Sequence, residues 1–320
     1  MIDIRTVQLA RREKMLGVVV TSYNDGFKLN EWLEHYSEIR SVVDKYVIVD
    51  NGSKEDYIQS LHCSFPDAVI IKLGANKGTT GAYNAGISYL LNCPEINYIM
   101  LLGNDIKIDI ESIRRLIEAL KHDHSIGMIG PTILKKDSTV IEDAGCDINL
   151  KHYALRLLHA GDEYDDNVKD IVYVDTVAGG VNIATKRFYE TVGLQDEMLF
   201  MYSDEVDMGI RAKKKGFKIA VLNAAVAWHQ HINPKNTVIR PPYSAYLIAR
   251  NKIYLGYKHG NFFKALYLFL YDLGIDLKHT IIAVRNKDKE TIVYRRWHFI
   301  GAFNGLIHNM KKNKYSSLEG

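Results

Sequence analysis

The first hundred residues alternate short apolar runs with polar turns, and this pattern limits the fold more than any other feature of the chain. Residues 16–21 and 46–49 are apolar runs rich in β-branched side chains, and residues 30–39 between them carry apolar side chains at helical spacing. Similar apolar runs follow at 68–73 and 98–102. Such runs are typical of strands buried in a parallel sheet. The sequence therefore predicts a doubly wound α/β fold with its ligand site at the carboxyl ends of the strands.

Polar side chains stand at the ends of the predicted strands. Thr21 and Asn24 follow the first run, Asp50 the second and Asp105 the fourth. The segment after the third run is rich in small residues. Its glycines do not match the dinucleotide-binding fingerprint, which should directly follow the first strand, so a nicotinamide enzyme is disfavoured. Asp105 is a candidate metal ligand, although an Asn-Asp pair is also a common turn.

A second group of polar residues lies between 199 and 231. Asp204, Glu205 and Asp207 open a predicted amphipathic helix, and a later strand-like run ends at His229 and His231. Carboxylates beside imidazoles suit a site that takes a proton from a hydroxyl and holds a divalent cation or phosphate. The alternative is structural, since acidic residues in a first helical turn are ordinary capping chemistry and a histidine can belong to the core.

Together these segments resemble the inverting glycosyltransferases of family two, which include bacterial rhamnosyl- and galactosyltransferases. The resemblance runs from about residue 16 to 231 and continues weakly into 243–255. It implies a GT-A nucleotide-diphospho-sugar transferase fold, an α/β fold with a mixed, mostly parallel central sheet flanked by helices. The expected catalytic domain is 1–240, with a nucleotide-binding half at about 15–110 and an acceptor half at about 111–240. A helical C-terminal extension is expected over 241–320.

The resemblance also implies roles for individual residues. The Asp-x-Asp metal motif of the family falls on Gly103-Asn104-Asp105, so Asp105 is the remaining carboxylate, and with His229 it is expected to bind Mg²⁺ or Mn²⁺ beside the donor diphosphate. The Glu-Asp pair of the family occurs here in swapped order, which makes Glu205 the first candidate for the catalytic base and Asp204 the second. Arg250 is expected either to reach a donor phosphate or to fix the C-terminal segment against the core. The candidate nucleotide- and donor-binding residues are Thr21, Tyr23, Asn24, Asp50, Asn76, Gly78, Asn84, Asn104 and Arg250.

The implied function is transfer of a sugar from a UDP- or dTDP-sugar to a hydroxyl of a glycan or lipid-linked glycan in cell-surface polysaccharide synthesis. Acceptor selection is expected in residues 135–170, where His152, Tyr153 and Arg156 are candidates. Two alternatives remain open. One is a degenerate GT-A protein that binds nucleotide or glycan without turnover, and the other is a nucleotidyltransferase.

Composition adds limits on compartment and partners. The three cysteines lack metal-ligand spacing and the first 14 residues lack an apolar core of signal-peptide length, so we expect a reduced, cytoplasmic protein. After residue 250 there are 12 Lys and Arg residues against 5 Asp and Glu. This basic, aromatic segment fits the inner face of the cell membrane, a homodimer interface or a cover for the catalytic domain. No nucleic-acid-binding module is recognised, so no nucleic acid partner is expected.

Overall fold

A computed structural model of the chain describes residues 15–168, 170–230 and 242–310. Its first part alternates strands and helices as the sequence predicts. The strands pair in the order β3-β2-β1-β4, all parallel. Every predicted strand in this part is present, with boundaries that differ by one residue at most. The elements are β1 (Leu16–Ser22), α1 (Leu29–Ile39), β2 (Lys45–Asp50), α2 (Glu55–Ser64), β3 (Val69–Lys72), α3 (Gly78–Leu91) and β4 (Tyr98–Leu102).

The second part extends the same sheet with strands of both directions. The complete path is β10-β12-β6-β11-β4-β1-β2-β3, with β5 on β12 and β7 on β6. Strand β11 runs antiparallel to β4 and β6, whereas β6 and β12 are parallel. The sheet is therefore mixed, and its continuous parallel part is the first half. The elements are β5 (Ile106–Ile108), α4 (Ile110–His122), β6 (Ile126–Lys135), β7 (Ile141–Asp143), β8 (Cys146–Asn149), β9 (Ala154–Leu157), β10 (Ile171–Val174), β11 (Val181–Thr185), α5 (Lys186–Val192), α6 (Asp204–Lys214) and β12 (Lys218–His229).

Both faces of the sheet are buried, which explains the uninterrupted apolar runs. Successive side chains of a strand point to opposite faces. Val18 and Val20 accordingly belong to one core cluster with Trp32 of α1, whereas Val19 belongs to another with Phe188 of α5. Helices thus cover each face and leave the carboxyl ends of β1, β2 and β4 at one edge.

The C-terminal part is helical. It consists of α7 (Pro242–His259), α8 (Phe262–Arg285) and α9 (Lys289–Leu306). Short breaks separate them because Asn261 and Asp288 each accept a backbone N–H from the first turn of the next helix. Within the described ranges, no helix is long and apolar enough to cross a membrane. The predicted domain boundary at 240 lies outside the described residues and stays a prediction.

Candidate active site

The loops after β1 and β2 are joined by hydrogen bonds. Asn24 has a left-handed backbone (φ 53°), its N–H donates to Ser53 Oγ at 2.9 Å, and its Oδ1 accepts the N–H of Lys54 at 3.0 Å. Asp50 has no exposed surface, and its carboxylate accepts the N–H of Ser53. An open cavity of about 430 Å³ beside these loops is lined in part by Asn24, Lys54 and Tyr57. Asp50 therefore shapes this depression through its loop, where the sequence suggested direct contact with the base.

The loop after β1 is also joined to the loop after β4. The carboxylate of Asp25 accepts the N–H of Tyr23 at 3.2 Å and the side-chain amide of Asn104 at 2.8 Å. Thr21 lies next to the end of β1 and shares a hydrogen bond with the hydroxyl of Tyr83. These expected donor-binding residues are thus neighbours at one sheet edge, and Tyr23 is exposed there.

Asn76, Gly78 and Asn84 connect α3 to the segment that precedes α6. Asn76 Oδ1 accepts the N–H of Gly78 at 2.8 Å. Gly78 has φ 73°, and a Cβ atom there would lie 2.0 Å from the carbonyl oxygen of Phe200. Asn84 exchanges two 2.9 Å hydrogen bonds with the backbone of Gln195. The structure therefore gives Gly78 and Asn84 positioning contacts, where the sequence suggested donor contacts.

Asp105 and His229 meet because short strand β5 pairs with the end of β12. Ile106 lies opposite His229 in this register. Asp105 Oδ2 lies 3.6 Å from His229 Nε2 and 3.6 Å from Lys28 Nζ. On its other side, His229 Nδ1 lies 3.0 Å from Glu142 Oε1. One imidazole is thus held between two carboxylates.

The charges of this cluster support one another. Burial alone would raise the pKa of the Asp105 carboxyl, but His229 and Lys28 outweigh burial and lower that pKa to about 2. The hydrogen bonds to Asp105 and Glu142 raise the pKa of His229 to about 9. Asp105 is therefore ionised at neutral pH.

The turn before α6 has an unusual backbone. Phe200, Tyr202 and Ser203 all have left-handed φ values between 63° and 67°. Each such non-glycine residue costs on the order of 1–3 kcal/mol and persists only where its surroundings hold it. Asn251 of α7 supplies that support, since its amide nitrogen lies 2.9 Å from the carbonyl oxygens of Leu199, Met201 and Tyr202.

Arg250 completes this support. It is fully buried, and its guanidinium donates to the carbonyl oxygens of Met198 and Leu199 at 3.1 and 2.9 Å. Because Arg250 has no exposed surface here, the structure favours the second of its two expected roles, fixing the C-terminal part.

The turn delivers Asp204 and Glu205 to the start of α6. Burial and the neighbouring Glu205 raise the pKa of Asp204 well above its usual range. Burial also raises the pKa of Glu205, which is opposed by hydrogen bonds from Asp204 and from the N–H of Gly179. Two adjacent buried carboxyls cannot easily both ionise. The arrangement favours a proton on Asp204 and a hydrogen-bonded carboxylate at Glu205.

A cavity of about 320 Å³ brings the two clusters together. Glu205, Asp105 and His229 all line it. Leu155 and Leu157 of β9 form part of its apolar wall. The cavity thus combines an ionisable carboxyl group, a carboxylate–imidazole pair and an apolar surface within one space.

The chain is similar to a known family of proteins. A model described as "Glycosyltransferase like family 2" matches residues 13–250, most of the chain. The chain belongs to this glycosyltransferase family. This finding overturns the nucleotidyltransferase alternative.

Relatives of the transferase are named as hexosyl- or rhamnosyltransferases in several organisms. Low-salt glycan biosynthesis hexosyltransferase Agl10 of Haloferax volcanii is 27% identical over 74% of this chain and 74% of its own length. N-acetylglucosaminyl-diphospho-decaprenol L-rhamnosyltransferase of Mycobacterium tuberculosis is 25% identical over 78% and 87%. dTDP-rhamnosyl transferase RfbF of Shigella flexneri is 25% identical over 90% and 94%.

A solved structure confirms the expected fold. The crystal structure of GalNAc-T7 with UDP, GalNAc and Mn²⁺ superposes with a TM-score of 0.58 over 75% of this chain at 13% identity. The matched part is 47% of that chain, so the transferase spans about half of it. At this identity the likeness shows the GT-A fold alone.

The protein alone offers few ligands for a cation. Asp105 and His229 are the candidates, and among residues 15–168, 170–230 and 242–310 no group of three or more His, Cys, Asp or Glu side chains could hold a metal ion. A cation in the transferase would therefore need further oxygen ligands from a diphosphate and water, which suits Mg²⁺ and similar ions.

Some site residues escaped sequence reasoning. Lys28 and Asp25 sit in a turn before α1 and have no recognisable motif. Glu142 and Asp143 line the cavity of the transferase, and their adjacent carboxylates were a signal that could have been used. His152 instead stacks on Tyr271, with ring centroids 4.2 Å apart.

The other residues that the sequence singled out make contacts within the protein. Tyr153 is buried near His259, and Arg156 forms an exposed ion pair with Asp147. Asp207 is fully buried and forms ion pairs with Arg211 and with the end of α7, which confirms its structural alternative. His231 and the first 14 residues lie outside the described residues.

Proposed function

We propose that this transferase inverts the anomeric centre of a UDP- or dTDP-sugar and joins the sugar to a hydroxyl of a glycan or lipid-linked glycan in cell-surface polysaccharide synthesis. The observation that carries the proposal is the shared cavity of Glu205, Asp105 and His229. A single displacement requires a base and a phosphate-neutralising group within reach of one bound donor, and both kinds of group line this cavity.

Glu205 is the proposed base. It lines the cavity, whereas Asp204 beside it is buried and holds a proton. The Glu205 carboxylate accepts the proton of the acceptor hydroxyl while that oxygen attacks the anomeric carbon. The bond from the anomeric carbon to the diphosphate breaks on the opposite face, so the configuration inverts.

His229 and Lys28 face the leaving group. Both are cationic and lie 3.6 Å from Asp105, so the cluster has positive charge to offer to the departing phosphates. Asp105 and His229 would hold Mg²⁺ or Mn²⁺ together with the diphosphate of the donor only after His229 loses a proton, because a neutral imidazole is needed to bind a cation. A bound cation supplies Lewis-acid stabilisation of the leaving phosphate.

The donor and acceptor classes rest on the relatives and on the cavity walls. A rhamnosyltransferase named for a dTDP donor and one named for a diphospho-decaprenol acceptor are among the relatives. The apolar wall formed by Leu155 and Leu157 suits the apolar face of a sugar or a lipid-linked acceptor. A lipid-linked acceptor would bring the enzyme to the inner face of the cell membrane.

The test combines binding with turnover. We expect calorimetric titration with UDP and dTDP to show binding that Mg²⁺ or Mn²⁺ strengthens and that Asp105→Ala abolishes. Asp162→Ala, which removes an exposed carboxylate outside the site, is the control. Release of nucleoside diphosphate from the matching sugar donor should fall by about 10²–10⁴-fold in Glu205→Gln, since that is the usual contribution of a general base.

The outcomes separate the alternatives. Nucleotide binding without turnover in the wild type, across donors and glycan acceptors, would favour the degenerate GT-A protein. Unchanged turnover in Glu205→Gln would exclude the proposed base. Absence of nucleotide binding under all conditions would remove the donor proposal.

A further inference from the structure

Helix α8 has reversed amphipathicity. Its acidic residues point inward, where Asp272 pairs with Lys252 of α7 and Asp276 with Arg295 and His298 of α9. Its outward face is apolar, with exposed fractions from 38% at Tyr267 to 76% at Phe263. Since exposed apolar surface of this extent marks an interaction site, the outward face calls for a partner.

The outward residues follow a heptad repeat. They alternate in steps of four and three through three heptads, as the contact positions of a coiled coil do. These residues lie on the side of α8 opposite the one that packs on α7 and α9. We call these residues the α8 seam: Phe263, Tyr267, Leu270, Gly274, Leu277, Ile281 and Val284.

A glycine lies at the middle of the seam. Gly274 is exposed, and a Cβ atom there would meet nothing within 4 Å. Glycine in an exposed helix interior is unfavourable relative to alanine, and nothing within the monomer requires it here. Close approach of a second helix at the centre of the seam would explain it.

The charges beside the seam differ between its two borders. One border carries Lys264, Tyr271, Lys278 and Arg285, and the other carries Leu266, Leu273 and Thr280. In a parallel pair the first border meets the second border of the partner, so like charges stay apart, whereas an antiparallel pair would bring Lys and Arg together. A helix lying on an anionic membrane gains from cations on both borders, which this helix lacks.

We propose that two copies of the chain associate through the α8 seam as a parallel, two-fold symmetric pair. At the observed exposures the seam residues leave roughly 600 Å² per copy, so pairing would bury roughly 1,200 Å², which lies in the range of specific interfaces. At one end the seam borders the catalytic part, where Tyr267 lies beside His152 of the turn between β8 and β9. The pairing is independent of the donor and acceptor proposed above.

The test measures mass in solution. We expect sedimentation of the full-length chain at micromolar concentration to give a dimer, and the double variant Leu270→Glu, Leu277→Glu to dissociate at least tenfold more readily. The matched control is Val293→Glu. It places a charge at an exposed apolar position of α9, on the helix face that continues towards α7. This variant should remain dimeric.

A second variant keeps the test valid if the double variant does not fold. Gly274→Ala adds a methyl group that the monomer accommodates, so it should raise monomer stability while weakening the dimer. A monomeric wild type would overturn the proposal. Binding of that monomer to phosphatidylserine vesicles, lost in the double variant, would assign the seam to a membrane instead. The proposal would also be overturned if the double variant and Gly274→Ala both formed the dimer as readily as the wild type.

Discussion

Two adjacent carboxyl groups at the start of α6 differ in what they touch. Asp204 is buried away from the cavity, whereas Glu205 lines it and accepts the N–H of Gly179. The longer side chain of Glu therefore reaches the cavity from the position where the family has an aspartate. The acidic pair can therefore occur in swapped order and still place a carboxyl group in the cavity.

The raised pKa of Glu205 predicts the pH dependence of transfer. The base must be ionised, so kcat/KM should fall as pH drops through a pKa that burial places above the usual value of a glutamate. We expect the same acid limb in Asp204→Asn, because the amide mimics a protonated Asp204. An acid limb that moves in Asp204→Asn would mean that Asp204 itself titrates there.

Asp207 predicts a pH-dependent contribution to stability. Burial would raise the pKa of this carboxyl, but His259, Arg211 and Lys258 outweigh burial and lower it below its usual range. A lowered pKa in the folded state means that the stabilisation is full above the unfolded value of 3.8 and is lost as pH falls below it.

We expect Asp207→Asn to reduce the free energy of unfolding by about 3–5 kcal/mol at pH 7, because it leaves buried cations without their carboxylate. Urea titrations should show that the free energies of unfolding of Asp207→Asn and wild type differ less at pH 3.5 than at pH 7. Asp162→Asn removes an exposed pair and should change stability by at most about 1 kcal/mol. A loss at Asp207 as small as that would contradict the buried role.

Among the elements, the start of α3 and the turn before α6 depend on each other. Gly78 lies against the carbonyl of Phe200, and Phe200 belongs to the left-handed turn that aims α6. The hydrogen bonds of Asn84 to Gln195 fix the same segment a few residues earlier. The start of α3 thus helps to set the position of Glu205.

A pair of alanine substitutions tests this dependence. Gly78→Ala would place a Cβ atom 2.0 Å from the Phe200 oxygen, whereas Gly74→Ala, also at positive φ (44°), meets nothing within 4 Å. The second change should cost about 1–2 kcal/mol for its backbone alone. We expect Gly78→Ala to cost at least about 2 kcal/mol more, in chemical denaturation, and to lower kcat. Equal losses would show that the contact does not constrain the turn.

Sequence reasoning located the elements better than their contacts. The strands up to β4 were predictable because apolar β-branched runs end in polar turns. Asp105, Glu205 and His229 line one cavity, and their roles stay predictions. The β5–β12 pairing that joins Asp105 to His229 was not predictable, since β5 has three residues and little pattern of its own. The sequence left two roles open for Arg250, because the backbone carbonyls that it contacts carry no sequence signal.

At the scale of the whole molecule, the C-terminal helices pack against the helix that carries Glu205. Val206 and Ile210 of α6 share an apolar cluster with Ala249 and Ile253 of α7. A Cβ atom on Gly301 of α9 would lie 2.1 Å from the Tyr246 carbonyl oxygen, so these helices pack closely as well. The apolar packing is therefore shared across the predicted boundary at residue 240.

This sharing predicts cooperative unfolding. In hydrogen exchange, amides of α6 and α7 should open with the same free energy, because neither helix keeps its buried partners without the other. Asn251→Ala should lower protection in both helices, whereas Val293→Glu should leave both unchanged. Separate openings of α6 and α7 in the wild type would indicate two independent domains.

The hairpin of β8 and β9 lies outside the main sheet, yet it places Leu155 and Leu157 at the cavity wall. Its two strands pair through backbone hydrogen bonds. At the base of the hairpin, Cys146 forms an isolated β-bridge with Thr176. Strand β9 is exposed and can vary in sequence without disturbing α6, whereas Ile148 of β8 packs in the same apolar cluster as Val206 and Ile210 of α6. Exchanging β9 alone between relatives is accordingly the most economical way to alter this wall of the cavity while leaving the rest of the site in place.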